Sequence, residues 1–125
     1  MGSSSNRHVL IVEDDEDARE TLSELITSYG HHAEAAANAA EALERARSRH
    51  PDVALIDLGL PQVDGCELAR QLRDLLNEPC APATRLVALT GHSDRASRSN
   101  ASAAGFDAYL VKPVKPAALE ALLRL

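Results

Sequence analysis

Short apolar runs alternate along the chain with longer stretches whose apolar residues recur every three or four positions. The first run, His8-Val-Leu-Ile-Val12, predicts a strand. After it Ala18, Leu22, Leu25, Ile26 and Tyr29 recur at helical spacing, and Gly30 supplies the stop. Residues 32–36 predict a weak second strand. Asn38 with Glu41 caps an alanine-rich helix with Ala39, Leu43 and Ala46 inward, stopped before Pro51. Val53-Ala-Leu-Ile-Asp57 is a continuous apolar run between Pro51 and the pair Gly59 and Pro61, which marks a buried strand. Asp64 with Glu67 caps a third helix carrying Leu68, Leu72 and Leu75 or Leu76 on one face. A loop with Pro79 and Pro82 leads to a fourth strand, Leu86-Val-Ala-Leu-Thr90. A Ser- and Ala-rich helix over 94–103, closed by Gly105, precedes a fifth strand, Ala108-Tyr-Leu-Val-Lys112. Pro116 opens the last helix as its first residue. Five βα units of this kind predict an α/β fold with a parallel sheet covered on both faces.

Chemistry in such folds sits just outside the carboxyl ends of the strands. Glu13, Asp14 and Asp15 follow the first strand, Asp57 ends the third, Thr90 the fourth and Lys112 the fifth. Acids at the start of a helix are favoured by its dipole, and one of them can be the cap. That accounts for Asp15, Glu16 and Asp17. It leaves Glu13 and Asp14 unexplained, at the strand's own end and facing Asp57. Like-charged carboxylates packed together raise each other's pKa unless a cation intervenes, and hard oxygen ligands suit Mg²⁺. Taken singly, Thr90 and Lys112 read as ordinary strand-end residues. Around one carboxylate, however, Mg²⁺, an ammonium and a hydroxyl form a receptacle for three phosphoryl oxygens. Asp57 is therefore read as a phosphoryl acceptor.

Composition narrows the alternatives. A chain of 125 residues with 45% hydrophobic content makes one domain with an ample core. That core is aliphatic, because the aromatics are only Tyr29, Phe106 and Tyr109. A net charge of −6 argues against direct nucleic-acid binding, which needs clustered Lys and Arg. No apolar run approaches the ~20 residues of a membrane span, and no signal-peptide pattern is present. Cys66 and Cys80 fit no metal or redox spacing and read as reduced cytosolic thiols. His8, His31, His32 and His50 lie at predicted element edges and are expected at the surface. Residues 1–6 read as a disordered leader or an expression-tag remnant. An FMN-binding protein would need a glycine- and hydroxyl-rich phosphate loop where this chain has five consecutive acids.

The whole pattern resembles the receiver domain of two-component response regulators. The resemblance rests on Glu13-Asp14, Asp57, Leu60-Pro61 with Asp64-Gly65, Ala88-Leu-Thr90-Gly91, Gly105-Phe-Asp-Ala-Tyr109 and Lys112-Pro113. It implies a flavodoxin-like (βα)5 doubly wound parallel sheet of order 2-1-3-4-5, with the receiver domain over 7–125. It further implies that Asp57 is phosphorylated from the phosphohistidine of a sensor histidine kinase or a histidine phosphotransfer domain. Carried over to this chain, Asp14 binds Mg²⁺ directly, Glu13 helps through water and Asp57 is a ligand. The Gly59 carbonyl completes the set, with Asp15 as a further candidate. Thr90 and Lys112 bind phosphoryl oxygens, Tyr109 follows Thr90 in a switch, and the Lys112–Pro113 peptide is cis.

Such a domain is a cytoplasmic signalling phosphoacceptor, catalysing only its own phosphorylation and dephosphorylation. Its effector reads the face of the 94–103 helix, the fifth strand and the last helix, where Arg95 and Arg98 lie. Neither direct nucleic-acid binding nor a membrane is implied. The alternative is a degenerate receiver that serves only as a protein-interaction module. Intact Asp57, Thr90 and Lys112 argue against it. A haloacid-dehalogenase-type phosphatase would carry a second Asp where this chain has Gly59. The last helix is short for the family, which suggests a piece of a longer protein. The runs around Asp57 and Thr90 resemble receivers fused to sensor kinases more than those fused to DNA-binding domains.

Overall fold

The computed structural model describes residues 7–59, 65–77, 84–91 and 105–124. β1 (His8–Val12) and β3 (Val53–Asp57) are buried at every position. Strands with helices on both faces have no polar side, so their sequences read as unbroken apolar runs. β2 (His32–Ala36), β4 (Arg85–Thr90) and β5 (Ala108–Val111) complete a parallel sheet of order β2-β1-β3-β4-β5. This is the flavodoxin-like topology expected from the sequence.

Alternate residues of β1, β3 and β4 feed two cores. Leu10, Val12, Ala54 and Ile56 point to one side and meet α2 (Ala39–Ser48) and α3 (Gly65–Leu75). Val9, Ile11, Leu55, Val87 and Leu89 point to the other and meet α1 (Glu16–Ser28) and α4 (Pro116–Leu123). Leu68 and Leu72 are fully buried beneath α3, and each stabilises the fold by roughly 2 kcal/mol relative to exposure. They seat the helix whose first residue lies against the end of β3. Among the described residues no helix is long and apolar enough to cross a membrane.

Local signals act where the sequence places them. Asp15 caps α1, its Oδ2 accepting from the Ala18 N–H at 3.3 Å. Asn38 Oδ1 accepts from the Glu41 N–H at 2.9 Å, while Glu41 Oε1 accepts from the Ala37 N–H at 2.8 Å. Gly30 takes φ +90° after α1, a conformation that costs glycine little. β5 ends one residue before the predicted Lys112. The Lys112 N–H still bonds to the Thr90 carbonyl at 2.7 Å, but Pro113 has no N–H with which to continue the ladder. Leu76, just past α3, is buried rather than Leu75. The expected leader at 1–6, Leu60-Pro61, the Asp64 cap, the loop with Pro79, Cys80 and Pro82, and the 94–103 helix with Arg95 and Arg98 lie outside the described residues.

One expectation is overturned. His8 and His31 are buried, not at the surface, because each meets a polar partner inside. His8 Nε2 lies 3.0 Å from Glu34 Oε1 on the neighbouring strand. His31 Nδ1 accepts from the Arg7 backbone N–H at 3.0 Å. His32 is exposed as expected, and His50 is half-buried. Burial, and then the Arg7 guanidinium, push the His31 imidazole below its ordinary pKa. As pH falls, the unfolded chain therefore takes up this proton before the folded one. The stability from neutral His31 is complete above about pH 6.5 and is lost as pH drops through the lower folded value. Denaturation midpoints measured across that window should fall with pH. His31→Asn, whose Oδ1 can accept the same N–H, should flatten the profile. An unaltered profile in the variant would assign the dependence to another group.

Candidate functional site

The carboxyl ends of β1, β3, β4 and β5 gather the residues that carry chemistry. Asp57 is the last residue of β3 and is buried. The Gly59 N–H turns back to its Oδ1 at 2.9 Å, an Asx-type turn that fixes the carboxylate. Glu13 follows β1 directly; its N–H bonds to the Ala36 carbonyl at 3.1 Å, and only 1% of the residue is exposed. Lys112, just past β5, places its Nζ 2.8 Å from Glu13 Oε2 and 3.1 Å from Asp57 Oδ1. Thr90, the last residue of β4, is buried beside them.

The electrostatics follow from this crowding. Desolvation raises the Glu13 carboxyl above its ordinary pKa. The nearby Asp57 adds to the rise, and Lys112 opposes it. Burial works against the charged form of Lys112, but bonds to Glu13 and Asp57 outweigh it and move its pKa upward. Glu13, Asp14 and Asp57 each bring one ligand oxygen within 4.8 Å of the others, with Asp14 open to solvent. Three carboxylates around one ammonium leave negative charge uncompensated. Hard oxygens with an open side fit Mg²⁺, which holds on to several waters. Asp15 is drawn away from this group, because its carboxylate caps α1.

Two glycines border Asp57 for different reasons. A Cβ on Gly59 would sit 3.5 Å from Asp57 Oδ1, an ordinary contact. Glycine there leaves open a space that a side chain could fill. A Cβ on Gly65 would lie 2.8 Å from the Asp57 carbonyl oxygen and 2.9 Å from Leu58 Cα. No side chain fits there, so α3 begins in direct contact with the end of β3. Tyr109, on β5 opposite Ala88, is 38% exposed. The Lys112–Pro113 peptide is cis. Arg19 carries no motif, yet its Nη1 donates to the Glu13 carbonyl at 3.0 Å and the Asp14 carbonyl at 3.2 Å. A cavity of about 510 Å³ adjoins the site between α1 and the β5–α4 turn. Leu22, Leu25, Pro113 and Val114 line it, with Asp17 among its polar residues.

A doubly wound sheet with acids, a threonine and a lysine at its strand ends defines a class of protein. The chain belongs to the response regulator receiver domain family, which it matches over residues 9–124. It is 33% identical over 124 residues to an uncharacterized 14.6 kDa protein of Leptolyngbya boryana, covering 99% of this chain and 92% of that one. It is 36% identical over 115 residues to the two-component response regulator PhoP of Pseudomonas aeruginosa, covering 92% of this chain. The chain spans about half the length of PhoP, 49%. The chemotaxis protein CheY4 of Vibrio cholerae superposes with a TM-score of 0.85 at 27% identity, covering 95% of this chain and 97% of that one.

Proposed function

We propose that this domain accepts a phosphoryl group on the Asp57 carboxylate and signals by the resulting change of surface. The donor is the phosphohistidine of a sensor histidine kinase or a histidine phosphotransfer domain. The observation that carries this reading is the buried Asp57 carboxylate held 3.1 Å from Lys112 beside Glu13 and Asp14. An Asp57 oxygen attacks phosphorus; the O–P bond forms as the N–P bond of the donor, its ring protonated on the other nitrogen, breaks and leaves neutral imidazole. Lys112 and the Thr90 hydroxyl stabilise charge on the phosphoryl oxygens where it develops. Glu13, Asp14, Asp57 and the Gly59 carbonyl would hold Mg²⁺, which when bound neutralises charge on the same oxygens. Asp15 is left to its capping role. The apolar floor beside Lys112 offers the donor protein a surface to rest on.

Once formed, the acyl phosphate draws the Thr90 hydroxyl toward it, and Tyr109 moves into the space released. Buried and exposed rotamers of an amphipathic ring differ by little, so a phosphoryl group can shift their populations. An effector then reads the face of segment 94–103, β5 and α4. The domain is a cytoplasmic phosphoacceptor, not an enzyme acting on a separate substrate, and it contacts neither nucleic acid nor membrane directly. Acetyl phosphate with Mg²⁺ should add one phosphoryl group by mass, and none in EDTA. With beryllofluoride, NMR shifts should reach Thr90 and Tyr109. If Mg²⁺ and acetyl phosphate add nothing, the domain is an interaction module only.

A further inference from the structure

We propose that Arg19 is a positioning residue for the cation site. Its guanidinium holds the main chain of Glu13 and Asp14 so that their carboxylates converge on Asp57. The proposal rests on the reading that this site takes a divalent cation. Arg19 lies in the first turn of α1, where the helix dipole favours acids and disfavours a cation. Asp14, Asp15, Glu16, Asp17 and Glu20 are all close in sequence and would suit it as ion-pair partners. The structure shows a different use. One nitrogen, Nη1, donates to two successive backbone carbonyls, those of Glu13 and Asp14.

Those two carbonyls lie just beyond β1, where the sheet ladder no longer holds the chain. Glu13 has further anchors in its N–H bond to Ala36 and its ion pair with Lys112. Asp14 is exposed and has no such packing, so its backbone sets where its carboxylate points. Bridging the Glu13 and Asp14 carbonyls fixes that backbone before any cation arrives, and pre-organisation of this kind strengthens binding.

Charge alone predicts the opposite effect. Arg19 is a cation near a cation site, and by Coulomb repulsion its removal should tighten Mg²⁺ binding. The direction of the change therefore separates positioning from charge. Calorimetric titration with MgCl₂ at fixed ionic strength is the test, on the parent, Arg19→Ala and Arg19→Lys. Melts in EDTA run alongside. Arg19→Ala should bind Mg²⁺ roughly tenfold more weakly, the scale of one lost charge-assisted hydrogen bond. Arg19→Lys, which keeps several donors on one nitrogen, should fall between it and the parent. Acetyl phosphate labelling of Arg19→Ala should slow at low Mg²⁺ and recover at saturating Mg²⁺. Unchanged or tighter Mg²⁺ binding in the variants overturns the proposal, even where the melt shifts. If Arg19→Ala does not fold, Arg19→Lys against the parent decides by the same rule. A parent that binds no Mg²⁺ overturns the cation reading of the site itself.

Discussion

Asp57→Asn is expected to lose phosphoryl acceptance completely while the domain stays folded. The amide matches the carboxylate in size, and its oxygen can still accept the Gly59 N–H that now bonds Oδ1 at 2.9 Å. It cannot serve as the nucleophile, and it forms no acyl phosphate. The substitution also removes the buried carboxylate that, beside desolvation, raises the cost of charging Glu13. Lys112 keeps its 2.8 Å partner in Glu13. In EDTA the variant should therefore melt no lower than the parent, since a like-charge contact is relieved as an ion pair is lost. Intact mass after treatment with acetyl phosphate and Mg²⁺ should show one added group on the parent and none on the variant. Labelling of both to the same extent would move the acceptor away from Asp57.

The fold was legible in the sequence because β1 and β3 are buried on both faces, which leaves unbroken apolar runs of a strand's length rather than a helix's. The acids and Lys112 were legible because a parallel sheet brings every strand's carboxyl end to the same edge. What stayed hidden depends on partners distant in the chain. Nothing local marks His31 as buried; its acceptor role needs the N–H of Arg7, just before β1. His8 needs Glu34 across the strand pair. Asp15 stayed open as a further metal ligand because it adjoins Asp14, and the Ala18 bond assigns it to the cap. Gly65 was visible as a motif residue, but its cause, the Asp57 carbonyl 2.8 Å from where a Cβ would stand, is tertiary. Arg19 bonds to main-chain oxygens, which every residue has, so no side-chain pattern points to its partners.

Lys112→Met should destabilise the metal-free domain, and Mg²⁺ should recover more of that loss than it adds to the parent. Methionine keeps the length and apolar stem of lysine and removes the ammonium. That ammonium is the cation between Glu13 and Asp57, whose side chains are 2% and 7% exposed. Leaving buried carboxylates unpaired typically costs about 3–5 kcal/mol. Here the ammonium is 34% exposed, so solvent already screens it and the expected loss is nearer about 2 kcal/mol. A divalent ion among Glu13, Asp14 and Asp57 supplies the missing positive charge, and a ligand bound only by the folded state raises its stability by mass action. Melting curves across a MgCl₂ series should therefore rise more steeply for the variant and converge on the parent at high concentration. Phosphoryl transfer should not converge with them. Without a donor aimed at the developing oxygen charge, labelling at saturating Mg²⁺ should remain on the order of a hundredfold slower. Parallel melting curves for the two proteins would mean that Lys112 does not hold these carboxylates together, and parent-like labelling would remove it from the reaction.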